Sequence, residues 1–313
     1  MTTNHDTNPP RFLVYGAFAS IYLVWGSTYL AVRYAIESIP PFLMFGSRCI
    51  VAGILLYLFA RARGVPKPTG KQWQSAAWTG CLLIFVASAW IAWAEKFVPS
   101  SIAALIVAAL PMWMVLFDRK TNRPTVSIIT GIVIGFIGVG VLVVKGQGYD
   151  SEPLQLFPVV ICLVATLSWA WGSMLSKAAD KPDSPFMTVA MQMLAGGTIT
   201  MLGGLAIGEG YEFSWAGITQ RSVVAWSYML VFGSLIAFTS YIWLLTVSTP
   251  AKVSTYAFVN PPIAVALGCT IGNEPFSNEL LAATVLIVAA VVLIIRQPQK
   301  RTITCSNSCE EPA

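Results

Sequence analysis

The sequence predicts an all-α integral membrane protein of ten transmembrane helices, arranged as two inverted five-helix repeats. Three observations carry that fold class: the composition, a series of apolar runs of spanning length, and a constant offset between the two halves of the chain. The 313 residues are 56% hydrophobic and 11% charged, with a mean hydropathy of +0.70, against roughly 45–50% and 25% in soluble domains. Such a chain needs lipid as solvent.

Apolar runs separated by short polar breaks lie at 12–36, 42–60, 73–94, 102–117, 126–144, 154–175, 186–207, 223–247, 253–271 and 280–295. Most approach the roughly 17 to 25 residues that cross a hydrocarbon core, and the runs beginning at Ile102 and Leu280 are short. The offset appears next. Val98-Pro99 and Leu110-Pro111 recur as Thr249-Pro250 and Pro261-Pro262, in both cases 151 residues on, and Asn122-Arg123-Pro124 recurs as Asn273-Glu274-Pro275 at the same offset. Upstream, Trp25-Gly26-Ser27 meets Trp171-Gly172-Ser173 at 146, and Pro41-Phe42 meets Pro185-Phe186 at 144. The slippage falls between helices, where insertions are tolerated.

Five helices per repeat is an odd number, so the second repeat enters the membrane upside down relative to the first. With the N-terminus inside, fourteen Lys and Arg fall on the cytoplasmic side and three, Lys96, Lys145 and Arg221, outside. That asymmetry follows the positive-inside rule and accounts for most of the net charge of +5 without a nucleic-acid partner. The expected organisation is a cytoplasmic tail at 1–11, a first repeat at 12–145, a second at 154–296 and a cytoplasmic tail at 297–313. The first apolar run exceeds a signal-peptide core and reads as an uncleaved helix. Cys49, Cys81, Cys162 and Cys269 sit in helices; Cys305 and Cys309 lie in the tail without His partners, a poor metal site.

Proline inside an apolar helix frees carbonyls that lipid cannot satisfy, so Pro111, Pro261 and Pro262 point to helix breaks beside a polar pathway. Ahead of Pro261, Tyr256 and Asn260 stand at i and i+4 on one face. Asn260 reads equally as interhelical glue and as a substrate contact. Trp25 with Ser27, and Trp169 with Ser173, combine a flat aromatic wall with a hydroxyl, and the glycine between allows a close helix approach. Trp90 and Tyr241 extend the aromatic stripe, whereas Trp73, Trp78 and Trp215 read as interfacial or loop residues. Arg48 lies inside the second helix and must snorkel, pair or meet an anionic group; its repeat counterpart is Gln192. Arg33 and Glu37 are spaced as a local i, i+4 ion pair.

No carboxylate or histidine occupies a helix middle, so no buried proton relay is visible, and Glu95, Asp118 and Glu274 at helix ends read as solvated. Walker, HExxH and GxSxG motifs are missing, which leaves ATP-driven transport and standard hydrolase chemistry without support. The expectation is a non-enzyme with no cofactor and no metal.

Trp25-Gly26-Ser27-Thr28-Tyr29, the Pro40-Pro41 turn before Arg48, Trp169-Ala170-Trp171-Gly172-Ser173, and Ser254 through Pro261 leading to Glu274 together resemble an EamA-type member of the drug/metabolite transporter superfamily, most like its YedA-like bacterial inner-membrane exporters. The resemblance, from about Phe12 to Arg296, implies two inverted EamA repeats, a central cavity lined from both halves, and export of amino acids, metabolites or drug-like compounds. Arg123 departs from the acidic residue such families often carry after the fourth helix, which puts any two-acid mechanism in doubt. The resulting expectation is a secondary transporter of a small amphipathic metabolite in the bacterial inner membrane, with both termini cytoplasmic, as a monomer or homodimer. Its alternatives are a passive facilitator and, from another class, a membrane sensor or regulatory protein.

Overall fold

The computed structural model describes residues 9–117, 155–274 and 276–295, with isolated positions between 126 and 138. Among them the protein is helical, with no strand. The helices are α1 (Arg11–Ala35), α2 (Pro41–Ala62), α3 (Gly70–Ala94), α4 (Ser100–Val107), α5 (Leu110–Phe117), α6 (Leu156–Ala178), α7 (Pro185–Ala206), α8 (Gln220–Val247), α9 (Pro250–Val253), α10 (Tyr256–Thr270) and α11 (Asn278–Ile295). Six of these, α1, α2, α3, α6, α7 and α8, are long and apolar enough to cross a membrane. Shorter apolar stretches run over Ser100–Met114, Val259–Thr270 and Asn278–Ala290. The expected fifth span, 126–144, lies mostly outside the described residues, as do Asp118, Arg123 and the tail cysteines.

Helix starts follow local chemistry. Pro41, Pro185 and Pro250 occupy the first turns of α2, α7 and α9, where a missing N–H costs nothing. Thr69 begins α3 with a capping box, accepting from Gln72 N (3.3 Å) while Gln72 Oε1 accepts from Thr69 N (3.0 Å). Thr219 caps α8 by accepting from Ser222 N at 3.2 Å. Large apolar side chains such as Phe12, Leu58, Trp78, Leu202 and Val224 face outward, as a lipid-solvated bundle requires.

Two expected helices are interrupted. The fourth divides at Ala108-Ala109, just before Pro111. The ninth divides at Ser254-Thr255, and α10 then runs unbroken through Pro261 and Pro262. The break expected at that proline pair is therefore corrected: losing two amide donors leaves the α10 turns in register, and the chain yields seven residues earlier, where Thr255 Oγ1 instead accepts or donates a 2.5 Å hydrogen bond with Tyr22 of α1.

Inside α3 and α8 the hydrogen-bond pattern widens to a π-helix, over Cys81–Ala89 and Met229–Phe238. Ser88 Oγ donates to Leu83 O, five residues back, at 2.8 Å. The two segments start 148 residues apart, between the offsets of the Trp-Gly-Ser runs and the proline pairs. Such widenings gather at functional sites, because they rotate the side chains that follow.

At the centre, α2 packs on α7 with a reciprocal contact. A Cβ built on Gly53 would stand 3.0 Å from Ala190 O, and one on Gly197 would stand 3.2 Å from Gly46 O. Gly53 and Gly197, like Gly46 and Ala190, are 144 residues apart, so each helix offers the other the same small-residue notch. Alongside, a Cβ on either Gly80 or Gly196 would fall 2.4 Å from a backbone oxygen of the facing helix.

Candidate functional site

A cavity of about 120 Å³ opens among α1 to α8 and α10. It reaches from Glu95, directly after the last residue of α3, down to Trp25, ten residues before the end of α1. At 1.5 Å per residue that is about 15 Å of depth. The cavity thus occupies the half of the bundle nearer the Glu274 end, away from the end carrying Lys181 and Lys252.

Its floor is aromatic. Trp25 packs edge-on against Trp169 (5.4 Å between centroids) and Tyr256 (5.0 Å), and tilts against Tyr241 (5.0 Å). Trp169 Nε1 donates to Tyr241 OH at 3.0 Å, and Ser173 Oγ lies 2.5 Å from the same phenol while donating to Trp169 O at 2.6 Å. The hydrogen bonds fix the rings against one another.

Of the residues expected to form the wall, Trp25, Arg48, Trp169, Tyr256 and Asn260 line the cavity. Tyr241 and Ser173 sit behind it, fully buried, as the support just described. Ser27 turns away: its hydroxyl donates to Val24 O at 2.8 Å and meets Tyr228 OH at 2.6 Å, on the far side of α1. Trp90 is also displaced, edge-on to Phe42 (5.1 Å) and against Trp93 (5.8 Å). Each has its own cause in helical phase. A helix turns about 100° per residue, so Ser27 cannot share the face of Trp25, and the π-helix before Trp90 shifts the phase that a regular helix would have given it. Of the expected break prolines, Pro111 is buried beside cavity-lining Leu110.

Asn260 is both glue and wall. With its amide oriented to satisfy its neighbours, Nδ2 donates to Tyr256 O (3.1 Å) and across to Tyr22 O of α1 (3.0 Å). Arg48 is 7% exposed and stacks its guanidinium 4.0 Å from the Phe45 ring centroid. Its Nε has no hydrogen-bond partner, and among the described residues it makes no salt bridge.

The acids depart most from expectation. Glu95 is 5% exposed, lines the cavity, and neither carboxylate oxygen has a partner. Glu274 is 3% exposed and caps α4: Ser100 N (2.9 Å) and Ser100 Oγ (2.5 Å) donate to Oε1, Ser101 N (3.2 Å) to Oε2, and Arg33 pairs with Oε1 at 2.6 Å. The solvated reading of both acids is therefore corrected, and so is the Arg33–Glu37 pair, since Glu37 meets Arg221 instead, at 3.4 Å. Asn273, with φ 53°, turns the chain so that Glu274 points back into the bundle.

Glu209, in the short helix Glu209–Glu212, does the same for α2 by accepting from Phe42 N (3.2 Å) and Leu43 N (2.9 Å). Both α2 and α4 follow a proline N-cap with no side-chain cap of its own, and a carboxylate from the other half of the chain fills the vacancy. Burial pushes the Glu274 carboxyl up, but the Ser100 and Ser101 hydrogen bonds and the Arg33 charge outweigh it and hold it below the usual range. Glu209 lacks such a cation in contact, and burial pushes it up.

Sequence reasoning missed Glu95, Tyr29, Ser88 and Ser234 as cavity residues. An acid one residue beyond an apolar run, next to Lys96, carries the signature of a solvated helix end. Ser88 and Ser234 reach the wall through π segments that have no sequence signature.

A family model described as the EamA-like transporter family matches this chain twice, over residues 13–144 and 156–296. The uncharacterized inner membrane transporter YedA of Escherichia coli K12 is 35% identical over 283 residues, covering 90% of each chain. The uncharacterized transporter YvbV of Bacillus subtilis is 25% identical over 280 residues, covering 88% of this chain and 89% of that one. A solved structure titled only "Crystal structure of protein" superposes with a TM-score of 0.65 at 19% identity, over 90% of this chain and 95% of that one, and bears on the fold alone. With a bundle of apolar helices, two matches to one family model and a 35% identical relative across nine-tenths of its length, this chain belongs to the EamA-like transporter family.

Proposed function

We propose that the protein is a secondary transporter that exports a small metabolite across the bacterial inner membrane by alternating access to the cavity above the Trp25–Trp169–Tyr241–Tyr256 floor. The observation that carries this reading is a cavity inside an apolar bundle, walled from both halves of the chain, into which unpartnered polar groups project. Buried polar groups in a membrane protein are costly and mark substrate or ion pathways. The reciprocal α2–α7 contact and the 148-residue spacing of the π segments support ten spans in two inverted repeats, and the charge asymmetry supports cytoplasmic termini. Rocking of one repeat against the other would then expose the cavity first to one side and then to the other.

At about 120 Å³ the cavity is below the roughly 300–1,000 Å³ of drug-sized sites. That size favours a small, amino-acid-like cargo over a bulky drug. The facilitator alternative drew on the lack of buried acids, and Glu95 removes that ground. Untargeted profiling of the medium of cells overexpressing the protein, against cells deleted for it, tests the reading. Enrichment of one or a few small compounds is expected; identical profiles at verified membrane expression would refute export. Vesicles with an imposed pH gradient then separate coupled transport from strictly downhill flux.

A further inference from the structure

We propose that Glu209 and Glu274 are two latches that hold the bundle shut at one end only, and that their release limits how fast the cavity opens toward that face. This rests on the transporter reading and names what biases its alternation.

Both carboxylates belong to the second half of the chain and both grip the first half, at the end of the bundle where α1 stops and α2 and α4 begin. Glu209, after α7, accepts from Phe42 N and Leu43 N of α2. Glu274, after α10, accepts from Ser100 N and Ser101 N of α4 and pairs with Arg33 of α1. Each lies against a glycine of its own half: a Cβ on Gly204 would stand 3.0 Å from Glu209 Oε2, and one on Gly268 would overlap Glu274 Oε2. The three helices held in this way, α1, α2 and α4, all contribute to the cavity wall.

The Lys181 end is built differently. Gly64 (φ 82°) and Gly208 (φ 92°) are left-handed turns after α2 and α7, 144 residues apart, so Val65 stands where Glu209 does in the other half. Val65 packs against the cluster that holds Met187, the counterpart of Leu43, and α7 begins after Ser184 with no side-chain cap. The counterpart of α4 is α9, which its own Thr249 caps by accepting from Lys252 N at 3.3 Å. Among the described residues, no carboxylate of the first half caps a helix of the second, since Glu37 meets Arg221 and Glu95 has no partner.

The α2–α7 notch, centred between Gly46 and Gly53, is the natural pivot for one half rocking on the other. Phe42 is seven residues from Cys49 at that centre, a lever of about 10 Å. A rotation of about 15° moves such a lever end by about 3 Å, and a hydrogen bond is already lost at roughly 3.6 Å. The Glu209 bonds, at 2.9 and 3.2 Å, do not survive that displacement. Opening toward the Glu274 face therefore breaks buried charge-assisted bonds, and opening toward the Lys181 face breaks no such bond among the described residues.

The test uses the full-length protein with Cys81, Cys162, Cys269, Cys305 and Cys309 replaced by alanine. Cys49 remains, a cavity-lining thiol that is 2% exposed and so reacts only when the cavity opens. Its rate of modification by a membrane-impermeant anionic thiosulfonate is followed in right-side-out and in inverted vesicles, which addresses each face separately. Glu209→Ala and Glu274→Ala should each raise the rate from the Glu274 face at least threefold, and the pair at least tenfold, with the rate from the Lys181 face unchanged or lower. Glu209→Gln and Glu274→Gln, which keep an uncharged acceptor, should show smaller rises in the same direction and cover a folding failure of either alanine variant. Val65→Glu, which supplies the Lys181 end with a carboxylate near the amides of Phe186 and Met187, should slow modification from that face at least threefold.

Unchanged rates from the Glu274 face in the folded variants, or a Val65→Glu protein modified as fast as before, would overturn the proposal. An equal rise from both faces is the mark of a merely structural cap and would overturn it too. Cys49 unreactive from both faces in every variant would overturn the transporter reading as well. Sided modification alongside identical medium profiles would keep the latches and discard export.

Discussion

Arg48 and Gln192 stand 144 residues apart, the offset that also relates the small-residue notches through which their helices, α2 and α7, pack against each other. Their surroundings differ. Gln192 is held through its amide nitrogen, Nε2 donating to Thr79 Oγ1 (3.0 Å) and Ser176 Oγ (2.8 Å) while its buried Oε1 has no partner, and it lines no described cavity. Arg48 faces Gly233, the Phe45 ring and open space. One position thus ties neighbouring helices together through its amide, and the other leaves a guanidinium at the edge of a cavity. The lesson is that positions at a matching offset can lie on the same helix contact and still divide the work, one bonded to hydroxyls of neighbouring helices and one beside open space.

Exchanging the two roles should have the largest effect. Gln192→Arg places a charge among hydroxyls that cannot neutralise it, and should cost about 3–5 kcal/mol. The expected result is loss of folded, monodisperse protein in size-exclusion chromatography. The converse change, Arg48→Gln, makes the halves alike. It should leave folding intact and lower transport of the compound found in the medium at least tenfold, read as initial flux in vesicles at matched protein content; a lost fold with Arg48→Gln would move Arg48 into the structural half of the comparison.

Next in size is the contact by which one half caps the other. Glu274→Gln removes the charge that Arg33, Ser100 and Ser101 share and should destabilise by about 1.5–3 kcal/mol. Because the Glu274 carboxyl is held below its ordinary value of 4.5, this contribution is fully present above about pH 4.5 and is lost as pH falls through the lower folded value. Melting curves should separate the wild type from Glu274→Gln at pH 7 and converge well below pH 4.5. Smallest is Ser27→Ala. Its hydroxyl faces Tyr228 rather than the cavity, so stability should change by no more than about 1 kcal/mol and flux should stay at the wild-type rate.

Much of this comparison could be read in the sequence. Hydrophobic runs of spanning length gave the helices, and α1, α2, α7 and α8 begin and end within about three residues of the expected places. The difference between Arg48 and Gln192 was visible from the offset alone, because charge is a property of the residue. Burial is not such a property. Glu95 and Glu274 stand at helix ends beside loops, and only the three-dimensional approach of α4 to the α10–α11 connection shows where Glu274 goes. One local signal did exist: α2 and α4 start after Pro40 and Pro99 without a Ser, Thr, Asp or Asn at the N-cap, which leaves amides in need of an outside acceptor. The π segments had no signal in residue type.

The most direct test of the central claim, that cargo passes through this cavity, is to fill it. Ser234 lies in the cavity wall within the π segment of α8, and Ser234→Trp puts an indole into the open volume without touching the Glu274 or Glu209 caps. Vesicle flux of the compound enriched by wild-type cells should fall to the level of empty vesicles while the protein remains folded and inserted. Flux at the wild-type rate through folded Ser234→Trp protein would contradict the account.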